Sequence, residues 1–160
     1  AYYASFTIGE YDIVALSSPA DEKVRSSAAP LNPAKTPTQR HIVHIHVLCR
    51  ADTRMYATPA AVNATIDWYV IGSDSAGAEE WIAYQGAGLA IVNGRGRQIE
   101  VELVNCDLAP KSQSGSMRPI VGAARTGGDI DAVHDEARVR ELLSQLEEIA
   151  PTTRPARQRH

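Results

Sequence analysis

Hydrophobic positions along much of this chain recur with a period of two, the pattern of strands that bury one face. Ile99, Val101 and Leu103 alternate with Gln98, Glu100 and Glu102, the cleanest case. Val62, Ala64, Ile66, Trp68 and Val70 alternate in the same way with Asn63, Thr65, Asp67 and Tyr69. Between these stretches, Glu80–Gln85 and Leu89–Asn93 read as two short strands around the Gly86-Ala-Gly88 break. Asn93-Gly94-Arg95-Gly96 supplies residues that tolerate positive φ, which predicts a tight hairpin into the strand after it. The stretch Ala4–Leu16 is rich in strand formers, with a bulge or bend expected at Gly9. A polar loop is expected over Ala109–Ser116, then a final short strand over Met117–Ala124, before Thr126-Gly-Gly128.

Near the C-terminus the period changes. Val139, Leu142, Leu143, Leu146 and Ile149 recur at helical spacing and define one apolar face. Asp131 or a neighbour is expected to cap this helix, Glu136 and Arg140 to pair on its outer side, and Pro151 to stop it. The fold class implied is mainly β: an antiparallel sandwich or partly open barrel of about seven strands, with one C-terminal amphipathic α-helix. This order of elements is similar to that of pleckstrin-homology-like domains. No motif of that family is present, so the likeness carries no function. An immunoglobulin-like sandwich also fits the strand lengths, but Val104 stands where that fold usually places a tyrosine, two residues before the second cysteine.

The strongest local feature is Arg40-His-Ile-Val-His-Ile-His-Val-Leu-Cys-Arg50. As a strand it has one apolar face (Val43, Ile45, Val47, with His41 and Cys49) and one mixed face (Ile42, His44, His46, Leu48, Arg50). His44 and His46 project in parallel, spacing that would let both bind one metal ion. A metal needs further ligands, and no Glu follows at the spacing a cupin-type site would require, because Arg50 and Ala51 stand there. The histidines are therefore read as a pair that another element or subunit must cover, and no metal or cofactor is assigned. Cys49 and Cys106 permit one disulfide, but Cys106 has the opposite parity to Ile99, Val101 and Leu103. A bridge would need a bulge or register break before it, and free buried thiols are the preferred reading. Nothing around Cys106, with Asp107 beside it and His134 as a distant base, resembles a nucleophile turn. Asn63-Ala-Thr65 matches a glycosylation sequon but lies in an expected strand.

Size and composition suit one domain over residues 1–150, interrupted by a Pro/Ser-rich surface loop at 17–39 and followed by a basic tail at 151–160. A net charge of −3 gives no general affinity for nucleic acid, leaving only a weak phosphate contact through Arg154, Arg157 and Arg159. No apolar run reaches the roughly 18 residues of a spanning helix. The expectation is a non-enzymatic structural or interaction domain, a subunit of a homo-oligomer or larger assembly. It would dock through extended arms, with Tyr2, Tyr3, Arg154, Arg157 and Arg159 as partner-binding residues. The alternative is a small-ligand barrel with Trp68, Tyr69, Trp81 and Tyr84 around a cavity and His44 or His46 as polar anchors. A metal-dependent enzyme built on His44 and His46 is the third reading.

Overall fold

The computed structural model describes residues 1–7, 10–17, 39–51, 60–74, 76–119 and 121–150. Among these residues seven strands, β1 (Tyr2–Thr7), β2 (Glu10–Ser17), β3 (Arg40–Val47), β4 (Ala64–Ser73), β5 (Glu79–Arg95), β6 (Gln98–Gln113) and β7 (Ala124–His134), precede one helix, α1 (Glu136–Ile149). Each strand pairs antiparallel with the next in sequence, and the sheet curls into a barrel. The ring closes where β1 lies parallel to the end of β7, through Tyr2↔Val133 and Tyr3↔His134. The expected class is met, and of the two architectures it is the barrel that forms.

Alternation sorts the side chains between the two faces. Ile13, Ile45, Val47, Ala64, Ile66, Ala90, Val92, Ile99, Val101 and Ala132 form the main interior cluster. Each fully buried Ile or Val contributes roughly 1.5–3 kcal/mol relative to exposure. The outer wall is not left to solvent either. Val139, Leu142 and Leu146 of α1 pack onto Ala4, Val14, Ile42, Tyr69, Ile71 and Ala83. This explains why β3 and β4 carry apolar residues on both faces, as a strand covered on both sides requires.

Several boundaries differ from the sequence reading. The Gly86-Ala-Gly88 segment does not divide two strands; β5 runs through it with a shift of register between Ala87 and Leu89. A Cβ on Gly86 would run into the Asp107 carbonyl, and one on Gly88 would lie 2.7 Å from the Cα of Cys106. The glycines admit a close crossing of β6 rather than ending a strand. Residues 109–113, expected in a loop, extend β6, and the last strand is 124–134 rather than 117–124. Pairing with β6 carries β7 straight through Thr126-Gly-Gly128. The helix is capped by Asp135, whose carboxylate accepts from the Arg138 amide at 2.9 Å, not by Asp131. Its intrahelical ion pair is Arg138–Glu141, at 2.7 Å, while Glu136 faces His134 at 3.5 Å. The hairpin at Gly94–Gly96 forms as expected, with both glycines at positive φ.

Between Leu103 and Cys106, β6 advances three residues while β7 advances two, from Gly128 to Thr126. Asn105 takes φ 51° there, the one non-glycine residue with positive φ among those described. This bulge reverses the parity of β6 and turns Cys106 into the interior cluster. The break needed to bring Cys106 inward exists, yet both cysteines are free. Cys49, expected on the core face of the histidine strand, lies just past the end of β3 and is exposed.

Candidate functional site

Two places bring together the residues that the sequence singles out. The first is a cavity of about 460 Å³ under β7, walled by Val43, Ile66, Trp68, Leu103, Leu108 and Ile130. These are inward-facing residues of β3, β4, β6 and β7, so the wall is apolar by alternation. The cavity exists because closure of the ring is short. Beyond Tyr2↔Val133 no described residue of β1 follows β7, and residues 121–129 are exposed along their whole length. Trp68 is held flat against Tyr84, with ring centroids 4.7 Å apart and planes at 24°, and stacks on its other side against His41 at 5.9 Å. Its indole N–H donates to His41 Nδ1 at 3.3 Å. The Tyr84 hydroxyl accepts from the Val121 amide at 3.3 Å, tying the segment before β7 to the same stack. The polar rim is supplied by Arg125, Thr126 and Asp129.

The second place is a partly buried ionisable cluster on the outer wall. His44 Nε2 lies 2.8 Å from Asp12 Oδ1, and His46 Nδ1 lies 2.9 Å from the same oxygen. Glu10 stands 3.9 Å from His46 Nε2. The register explains this meeting: His46 is directly opposite Asp12 on β2, and His44 is one diagonal away. His44 is 6% exposed, opposite Val14, which α1 covers. Burial opposes ionisation of Asp12, but hydrogen bonding and electrostatic attraction, from His44 and then from His46, outweigh it and hold the carboxyl below its ordinary range. On the other side of β3, Lys111 donates to Gln85, and Gln85 Nε2 donates to Asp67 Oδ1 at 2.9 Å. A polar belt thus runs across five strands outside the helix-covered patch.

The belt is satisfied internally. His44 Nε2 and His46 Nδ1 are both directed at one carboxylate oxygen, and no group of three His, Cys, Asp or Glu among the described residues is disposed to hold a metal ion. His44 and His46 lie on the opposite side of the barrel wall from the cavity, so they cannot anchor a ligand inside it. Of the four aromatic residues assigned to that cavity, Trp68 lines it and Tyr84 backs it. Tyr69 and Trp81 belong to the cluster beneath α1.

The proposed contact residues are differently placed. Tyr3 is buried in the interior cluster, and its hydroxyl donates to the Gly96 carbonyl. Tyr2 packs against the helix cluster, with the Arg138 guanidinium 5.9 Å above its ring. Arg154, Arg157 and Arg159, and residues 18–38 of the long loop, lie outside the described residues. Burial first, then the Asp107 charge, push the Cys106 thiol up, opposite to what a nucleophile needs.

One residue was missed outright. Asn63 is 1% exposed and staples two strands. Its amide nitrogen donates to the carbonyls of Cys49 (2.8 Å) and Ala90 (2.9 Å), and its oxygen accepts from the Ala90 amide (2.7 Å). The sequon reading looked at its neighbours rather than its depth, and only the tertiary structure reveals the staple. Comparison with protein families, with curated proteins and with solved structures finds no match to this chain.

Proposed function

We propose that this protein is a non-enzymatic binding module that takes a small apolar group into the cavity under β7. The observation that carries the reading is the cavity itself. Its volume falls within the usual range of ligand pockets, roughly 300–1,000 Å³. Its wall combines aliphatic side chains with the Trp68 indole, and its charged groups are confined to the rim. An apolar ligand would be held by burial of its surface, while Arg125, Thr126 and Asp129 would orient any polar end.

Indole is a suitable probe, being apolar, planar and soluble. Titration followed by calorimetry and by methyl NMR is expected to show saturable binding, with the shifts centred on Val43, Ile66 and Ile130. Thr126→Trp, which fills the mouth from the exposed rim, is expected to abolish it. Saturable binding that is indifferent to Thr126→Trp, or no binding at all, would reject this reading. A second reading, a docking subunit of an assembly, is favoured by a separate observation: the edge of β7 above the cavity has no partner strand among the described residues.

A further inference from the structure

We infer that the edge of β7 left without a partner among the described residues pairs with β7 of a second copy of this chain, antiparallel about a two-fold axis at Gly127. The direction of the backbone groups is fixed by what they already bond. Asp131 O accepts from the Ala1 amino group at 3.1 Å and the Val133 amide donates to Ala1 O at 3.0 Å, both away from β6. The His134 amide, one residue on, donates to Arg97 O at 2.9 Å, beside the start of β6. Odd-numbered residues of β7 therefore point their N–H and C=O outward and even-numbered ones point theirs at β6. The extra residue of the nearby bulge lies in β6, Gly128 and Thr126 stay opposite Leu103 and Cys106, and the same alternation is inferred for Arg125, Gly127 and Asp129. No hydrogen bond from these outward groups to any described residue is present. An unpaired edge of this kind is a template for another strand.

The side chains select the occupant. Ile130 and Ala132 face the interior, so alternation places Ala124, Thr126 and Gly128 on that same face and directs Arg125 and Asp129 outward, where they border the mouth of the cavity. In antiparallel register about Gly127, Arg125 of one copy falls directly opposite Asp129 of the other, and the two-fold repeats the contact. Opposite charges facing each other across an antiparallel pair stabilise it. Gly127 meets itself at the axis, where the absence of side chains lets the backbones approach. Asp131 O, already bonded to Ala1, is not required. The same pairing would extend across the mouth of the cavity, although it does not depend on the cavity holding a ligand. An interface of this size is small, so the dimer should form in a concentration-dependent way.

Analytical ultracentrifugation of the full chain, from micromolar to millimolar concentration, tests this. The wild type is expected to pass from monomer to dimer. Arg125→Asp and Asp129→Arg should each remain monomeric where the wild type associates, because each places like charges opposite one another. Mixing the two variants should restore a dimer, since every facing pair is then of opposite sign. Asp107→Asn, which removes the intramolecular partner of Arg125 (2.8 Å), should leave association intact. Circular dichroism of each variant checks that it is folded. A wild type that stays monomeric, or folded charge variants that still dimerise alone, would overturn the pairing, as would a mixture that fails to reassociate. Indole binding by the wild type at micromolar concentration, where it is monomeric, would keep the cavity reading separate from either result.

Discussion

β3 and β7 belong to one sheet, yet their surroundings could hardly differ more. β3 is paired on both edges from His41 to Val47, packed inside the barrel through Ile45 and Val47, and covered outside through Ile42 and α1. Its polar residues are drawn into structure: His44 and His46 share one oxygen of Asp12. Among the described residues β7 is paired fully on one edge only, and most of its length is exposed. Polar residues alone therefore do not mark a binding surface in this molecule. The histidines, chemically the most suggestive residues, are used internally, while the plain segment Ala124–Ile130 borders the open space. Backbone groups and a cavity, not titratable side chains, distinguish the open side.

This contrast can be broken by mutation, and the largest effect is expected where packing is complete. Ile45→Ala should lower the unfolding free energy by about 3–4 kcal/mol, whereas Ile130→Ala at the cavity wall should lower it by about 1 kcal/mol. Urea denaturation measures both, and equal losses would erase the distinction between the two regions. Asn63→Ala comes next. It strands the Ala90 amide and removes both carbonyl contacts, so a loss of about 2–3 kcal/mol is expected by the same measurement.

Asp12→Asn sharpens the comparison through pH, with a loss of about 1–2 kcal/mol expected near neutrality. The folded-state pKa of Asp12 is depressed, so the native protein binds fewer protons than the unfolded chain in the acid range. The stabilisation is present above the unfolded carboxyl pKa, about 3.9, and is lost as pH falls through the lower folded value. The gap between wild type and Asp12→Asn should therefore close on acidification, and a gap independent of pH would reject the coupling. Smallest of all, Thr126→Trp at the exposed rim should leave the denaturation midpoint unchanged while removing indole binding.

Local patterns revealed those elements whose partners are local. The spacing of Val139, Leu142 and Leu146 defined α1 because a helix bonds to itself, and the glycines at 94 and 96 defined a hairpin whose strands are adjacent. The continuity of β5 through Gly86 and Gly88 was hidden because those glycines answer to the β6 backbone across the sheet. The bulge at Asn105 was visible only as the odd parity of Cys106. The inward set Val43, Ile66 and Trp68 was legible by alternation, but the space they face was not, since it depends on where β1 stops running beside β7. The pairing of His44 and His46 with Asp12 joins residues separated by the long loop, and no spacing rule within either strand announces it.

The stacking of Trp68 has a further use. The chain holds two tryptophans, and the fold assigns one to each region: Trp68 to the cavity wall and Trp81 to the cluster under α1. Replacing either with phenylalanine would leave a single indole emitter. Events at the open side and at the helix-covered side could then be followed separately by their light, with no label added to the molecule.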